Sequence, residues 1–259
     1  MVAVTFCTLG SGSRGNATLV QTGRTNVLID IGFSARETAR RLATVGVAGD
    51  AIDAILLTHE HGDHVAGAVV ASRGWRVPIV CRPAVAGRLG LASANIFGVQ
   101  SMPMEPFAVG DFTVTPFPVP HDAVETVGFV LEAQGIRIGY ATDLGHVTPE
   151  VSRRLKGCHL VALEANHDVE LTRAGPYPWS LKQRILGEHG HLSNHASAQL
   201  LSGVVGPETS AVVLTHLSAT NNAPHLALME AREALEEGGN GGTALQAAGQ
   251  IAPVTPIVL

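Results

Sequence analysis

Long apolar runs are missing from this chain. No stretch approaches the ~20 apolar residues that a bilayer-crossing helix needs, and no basic-then-apolar secretory pattern opens the sequence. A cytoplasmic protein without a membrane partner is therefore expected. Cysteine is scarce: Cys7, Cys81 and Cys158 are odd in number, widely spaced and free of any CxxC pair. That pattern argues against a disulfide framework and fits a reducing compartment. Each cysteine lies in or beside an apolar stretch and is expected in the core. Aromatics reach only 4% and charged residues 15%, with a net charge of −5. A protein that binds nucleic acid through its overall field is usually basic, so any polyanionic substrate must be held by a local patch. Repeats, low-complexity tracts and linkers are also lacking. What remains is a chain of 259 residues, 46% hydrophobic, with 29 Gly and 14 Pro. It can bury a large core and turn often.

Apolar strand-like runs alternate with helix-like segments from end to end. Residues 2–9, 17–21 and 26–30 read as three strands joined by Gly-containing turns. Ser34 caps an expected helix to about Thr44. A strand over 54–57 and a helix from Val65 to about Arg73 follow, then a strand over 77–81, a helix over 84–91 and a strand over 112–117. Residues 126–132 and 137–141 flank Gly135 as a tight hairpin, and 160–164 is a fully apolar strand. Helices over 180–188 and 194–201, a strand over 211–215, a helix over 224–237 and a last short strand complete the pattern. Early strands followed by alternating strands and helices suggest two sheets covered by helices in one layered α/β domain spanning 1–259.

The densest chemistry is Thr58-His59-Glu60-His61-Gly62-Asp63-His64, directly after the apolar run Ala54-Ile55-Leu56-Leu57. Imidazole and carboxylate are the ligands that Zn²⁺ and similar divalent ions prefer. Two His at i and i+2 on an extended loop point to one side and can grip one ion, while Asp63 and His64 can grip another. A plain helix cap would need one such residue rather than four. A metal site predicts further donors at later strand ends. His121-Asp122 follows the strand over 112–117, Asp143 follows Gly139-Tyr140-Ala141-Thr142, and His216 follows Val212-Val213-Leu214-Thr215. A lone His or Asp after a strand is usually a turn residue, but three of them beside the cluster point to one metal centre.

In this order, H-x-H-x-D-H, His121, Asp143 and His216 resemble the motifs of the metallo-β-lactamase fold, from residue 1 to about 222. The resemblance implies a four-layer αββα sandwich with two divalent ions, Zn²⁺ or Mn²⁺, at its edge. His59, His61 and His121 would hold the first ion, and Asp63, His64 and His216 the second, with Asp143 bridging. Asp30 matches the early Asp that orients the His loop from behind. The oxygen-reducing diiron branch has Glu where this chain has His61, and no cysteine falls at a ligand position, so hydrolysis by a metal-activated hydroxide is implied. The chain is too short for the inserted β-CASP domain of RNA-processing relatives.

Three further segments bear on the substrate. Gly10-Ser11-Gly12-Ser13-Arg14-Gly15-Asn16 is a small polar loop without the Lys-Ser/Thr of a P-loop. Glu164-Ala165-Asn166-His167-Asp168 follows an apolar strand. Gly190-His191-Leu192-Ser193-Asn194-His195 opens a helix, as a simple N-cap or as a phosphate seat. Ribonuclease Z and the cyclic phosphodiesterases of phosphonate catabolism are similar in this last stretch, which implies that His191 assists at the scissile phosphate. Together with Tyr177-Pro178, Lys182-x-Arg184 and T-H-L-S-x-x-N-N, these segments resemble the YycJ/WalJ-type hydrolases. The resemblance implies a 5′-to-3′ exonuclease on double-stranded DNA, RNA being the other polynucleotide to consider. Asp63 and His191 would be catalytic, and Ser193, Asn194 and Asn16 would seat the phosphate. Arg173, Lys182 and Arg184 would supply positive charge, although a solvated helix face explains the last two equally well. A small-molecule (cyclic) phosphodiesterase or other metallohydrolase is the alternative enzyme, and a metal-binding regulator without turnover the alternative class.

Overall fold

The computed structural model describes residues 3–259. Its strands in chain order are β1 (Thr5–Gly10), β2 (Ala17–Gln21), β3 (Asn26–Ile29), β4 (Ala54–Leu56), β5 (Ile79–Cys81), β6 (Val99–Ser101) and β7 (Phe107–Val109). They continue as β8 (Phe112–Pro118), β9 (Val127–Ala133), β10 (Ile136–Ala141), β11 (Leu160–Glu164), β12 (Ala211–Thr215), β13 (Ala244–Ala247) and β14 (Ile257–Val258). The helices are α1 (Ala35–Thr44), α2 (Gly62–Val65), α3 (Ala68–Trp75), α4 (Pro83–Arg88), α5 (Pro149–Leu155), α6 (Val169–Ala174), α7 (Trp179–Ile185), α8 (Asn194–Val204) and α9 (Pro224–Glu237).

The strands form two seven-stranded sheets, ordered β14-β1-β2-β3-β4-β5-β6 and β13-β12-β11-β10-β9-β8-β7. Successive side chains of a strand point to opposite faces, and here both faces are apolar. Phe6, Val20, Ile29 and Leu56 meet Phe112, Phe129, Leu131, Tyr140 and Val213 between the sheets. Cys7, Leu19, Leu28 and Ile55, one position out of phase, pack on the other face with Leu42, Ala71 and Val85 of α1, α3 and α4. On the far side Val130, Val161 and Val212 pack against Val151, Leu201 and Ala231 of α5, α8 and α9. The result is the expected αββα sandwich. Its central strands read as near-continuous apolar runs because neither of their faces meets water, whereas the edge strand β6 is exposed.

Of the expected first strand, Val2 lies outside the described residues, and the rest runs as Thr5–Gly10. The expected helix over 65–73 is two helices, α2 and α3, interrupted at Ala66-Gly67. There the backbone passes so close to Phe33 that a Cβ on Gly67 would overlap the Phe33 carbonyl oxygen. Strands β6, β7 and β14 and helices α5 and α6 are additions to the expected pattern. All three cysteines are buried and free. Among the described residues, no helix is long and apolar enough to cross a membrane.

Candidate metal centre

Strand direction decides where the donors meet. In the first sheet β3 and β4 are parallel. In the second, β10, β11 and β12 are parallel, and β8 shares their direction because both β8 and β10 run antiparallel to β9. The C-terminal ends of β3, β4, β8, β10, β11 and β12 therefore open at one edge of the sandwich. They carry Asp30, the His59–His64 loop, His121, Asp143, Glu164 and His216 respectively.

The seven expected donors converge there. His59, His61 and His121 bring one donor atom each to within 4.8 Å of one another, as do Asp63, His64 and His216, and as do His59, His64 and Asp143. His61 Nδ1 lies 3.2 Å from His121 Nε2. Asp63 Oδ2 lies 3.4 Å from His216 Nε2 and 3.6 Å from His64 Nε2. Asp143 stands between the groups, with Oδ2 3.1 Å from His64 Nε2 and Oδ1 3.7 Å from His121 Nε2. His59 Nε2 is buried without a hydrogen-bond partner. A buried imidazole nitrogen left unpaired is costly, and it is what a ligand atom looks like before its ion is counted.

Electrostatics favour a cation in the same place. Burial pushes the Asp143 carboxyl up, yet His216 and His64 outweigh it and hold the group well below the ordinary carboxylate range. Burial pushes His216 down, but Asp143, Asp63 and Glu164 lift it to about 10. Burial, helped by the neighbouring imidazoles of His64, His121 and His61, keeps His59 well below its usual value. Carboxylates that draw protons onto buried imidazoles exert the attraction that a divalent ion would satisfy instead. Donor types, convergence and the unpaired His59 nitrogen all fit bound metal ions.

Backbone conformation fixes several of these groups. Asp30, Asp143 and His216 have φ of 59°, 55° and 56°, the left-handed region that non-glycine residues seldom occupy. Asp30 and His216 sit directly past β3 and β12, and Asp143 two residues past β10, so each sharp turn holds its side chain at the sheet edge. Asp30 is fully buried and accepts from Thr58 N at 2.8 Å, from the Thr58 hydroxyl, and from His64 Nδ1 at 2.7 Å. That leaves His64 Nε2 for the centre. His121 Nδ1 is held 3.0 Å from the Gly190 carbonyl oxygen, which frees its Nε2 in the same way.

One functional residue was not legible in the sequence. Glu164 is fully buried at the end of β11, and its Oε1 lies 2.9 Å from His191 Nδ1 and 2.8 Å from His216 Nδ1. Its Oε2 accepts from Leu144 N at 2.7 Å and Leu192 N at 3.0 Å. Burial pushes this carboxyl up, but His191 and His216 bring it down to about 2. The strand ending in an acid was visible; its role in orienting two imidazoles was not.

The expected phosphate seat is built differently. Asn16 is buried, accepting from Gly12 N at 2.8 Å and from the Ser11 hydroxyl at 2.9 Å, with its amide nitrogen 3.0 Å from His64 Nε2. The Ser11 hydroxyl in turn accepts from His216 N at 2.7 Å, so the Gly/Ser loop braces the centre. Gly32 lets this loop approach: a Cβ there would overlap the Asp63 carbonyl oxygen. Asn194 is buried and forms a reciprocal amide pair with Asn222, at 3.0 and 2.8 Å. Only the Ser193 hydroxyl, which accepts from Ala196 N at 3.2 Å, keeps its own proton for another partner. The charge expectation also needs correction. Lys182 is buried and donates to the Arg173 carbonyl at 2.6 Å, while Arg173 pairs with Glu170 at 3.0 Å. Arg184 remains at the rim, paired with Asp122 beside His121. His191 and Arg184 line one small cleft of about 210 Å³ with Tyr177 and Ser13.

Two stacked mixed sheets, helices on both outer faces and His/Asp donors at one strand edge define a protein of the metallo-β-lactamase fold. The chain belongs to the beta-lactamase superfamily domain family, whose profile matches residues 25–217. It is 34% identical over 243 residues to an exodeoxyribonuclease YycJ of Bacillus anthracis, covering 91% of this chain and 90% of that one. Among solved structures, the metallo-β-lactamase fold protein YhfI from Bacillus subtilis superposes with a TM-score of 0.74 at 14% identity, over 99% of this chain and 100% of that one. A diphosphatase of the PhnP family superposes with a TM-score of 0.70 at 19% identity, over 100% and 99%.

Proposed function

We propose that this chain, acting as one domain, is a metal-dependent phosphodiesterase that degrades double-stranded DNA from a 5′ end. The observation that supports this reading most is the 34% identity to an exodeoxyribonuclease over nine-tenths of both chains. The convergence of its donor residues at one edge agrees with it. His59, His61, His121 and Asp143 would hold one ion, and Asp63, His64, His216 and Asp143 the other. Two such ions, Zn²⁺ or Mn²⁺, supply Lewis acidity: they lower the pKa of a water and neutralise charge developing on the phosphate.

The chain supplies the rest. Glu164 accepts from His191 Nδ1, which leaves Nε2 on the far side of the ring to face the substrate. From there His191 donates a proton to the leaving oxygen, a step worth about 10²–10⁴ in rate. The Ser193 hydroxyl can donate to a phosphate oxygen, and Arg184 can turn from Asp122 to the DNA backbone. Asn16 and Asn194 serve as braces for the His loop and for α8.

A small phosphodiester is the second reading. Lys182 is buried and Arg184 is paired, so the site offers less free positive charge than a polyanion prefers. End-labelled duplex DNA and bis-p-nitrophenyl phosphate, each with Mn²⁺ or Zn²⁺, separate the two. Stepwise 5′ shortening that vanishes in Asp63→Ala and falls at least 10²-fold in His191→Ala is expected. Turnover of the small diester alone would replace the nuclease reading with the second.

A further inference from the structure

One recess beside the centre, bordered by His191 and Ser193, has no role so far. It measures about 540 Å³ and lies between the loop after β10, α5 and α8, within the size range of small-molecule sites, about 300–1,000 Å³. Val147, Val169, Leu200 and Val204 give it apolar sides, while Ser152 and Gln199 add polar groups. His167 also stands in its wall, buried, with an Nδ1 that has no hydrogen-bond partner in the protein. Burial brings this imidazole down to about 4, so it is neutral and can pair with a neutral ligand. Apolar sides with a few polar groups match a nucleobase, which is flat and apolar on its faces and polar at its edges.

His191 and Ser193 belong to the wall of this recess, and His191 also lines the smaller cleft that holds Arg184 and Tyr177. A phosphodiester at His191 would therefore have a recess on each side. The small cleft with its guanidinium suits the continuing, charged strand; the large apolar one suits a base. We propose that the recess between α5 and α8 seats the base and sugar of the terminal nucleotide, the one whose 3′-oxygen leaves. This rests on the nuclease reading for the identity of the ligand, and it explains how one nucleotide is measured per cut.

Filling the recess tests it. Ala196 and Gly203 of α8 line it, and a Cβ on Gly203 would meet nothing within 4 Å. Because glycine is a poor helix former, Gly203→Leu should fold; Ala196→Phe fills the other end. With the Mn²⁺-loaded full chain, deoxyadenosine 3′-monophosphate (dAMP), whose phosphate is on the 3′-oxygen, should bind at least tenfold more tightly than inorganic phosphate. Both filled variants should lose that advantage and show a KM for duplex DNA raised about tenfold, and exposed Ser202→Ala should change neither. Equal binding of dAMP and phosphate, or filled variants that bind dAMP like the parent, would overturn the proposal. A parent that cuts no DNA yet prefers dAMP, with the preference lost on filling, would support the nucleotide site while removing the nuclease reading.

Discussion

The carboxylate of Glu164 shows how one side chain can govern a centre it does not face. Its Oε1 is shared by His191 and His216, and its Oε2 by two backbone N–H groups, so every acceptor position meets a donor. In Glu164→Gln one oxygen becomes an NH₂ that must point either at the imidazole N–H groups or at Leu144 N and Leu192 N. Both choices set donor against donor in a buried place, at about 1–3 kcal/mol. Loss of such outer support typically lowers metal affinity or activity 10–100-fold. Glu164→Gln is therefore expected to lower kcat/KM on bis-p-nitrophenyl phosphate by that factor and to reduce bound metal in elemental analysis. Full activity and full metal content in a folded variant would show that the carboxylate orients neither ring. The left-handed conformations of Asp30, Asp143 and His216 belong to the same scale: each costs about 1–3 kcal/mol where a side chain disfavours it. Asp tolerates that region better than most residues, which suits it to two of the three positions.

Elements differ in how plainly the sequence announces them. The helix α1 carries its own start signal, with Ser34 capping Glu37 N at 3.3 Å, and it was legible. So were β2, β11, β12 and α9, whose apolar runs are long or whose periodicity is clear. β6 and β7 have three residues each and lie at sheet edges, too short for any period to show. β14 exists because it pairs with β1, a contact spanning the whole chain. The converging donors were legible because they are chemically unusual and each follows a strand; the contacts of Glu164 were not, because its partners lie 27 and 52 residues away. The burial of Lys182 was hidden for a similar reason, since its partner is a carbonyl on α6. Helix α1 also makes a pH prediction. Hydrogen bonds from Arg40 and Arg41 hold the Glu37 carboxyl down at about 2, against an ordinary 4.5. A depressed folded pKa stabilises above the unfolded value and is lost as pH falls toward the folded one. Helix-surface pairs contribute about 0.3–0.5 kcal/mol each, and Arg41 is buried, where it also donates to Leu9 O at 2.8 Å and Gln250 O at 2.9 Å. Glu37→Gln should thus unfold at lower denaturant at pH 7, and the difference from the parent should shrink between pH 4.5 and 2. A constant difference across that range would contradict the ion-pair account.

At the scale of the whole molecule, the centre is a joint between the two sheets. The loop with His59, His61, Asp63 and His64 leaves the first sheet, whereas His121, Asp143 and His216 leave the second. The sheets already share an apolar core, so the sandwich does not depend on a metal to assemble. At the open edge, however, three buried carboxylates and the half-buried Asp63 crowd together with several imidazoles, and a cation relieves repulsion that the core cannot. A ligand that binds only the folded chain stabilises it by RT ln(1 + [L]/Kd), about 2.7 kcal/mol at a hundredfold excess over Kd. For a chain of this size each kcal/mol moves the melting temperature by about 2–4 °C. Adding Mn²⁺ or Zn²⁺ to chelator-treated protein should then raise the melting temperature by roughly 5–10 °C, to a plateau. In Asp143→Asn, which weakens the carboxylate standing between His64 and His121, the rise should be smaller at equal metal. A melting temperature indifferent to chelator and to both ions would mean that the converging donors hold no metal in solution.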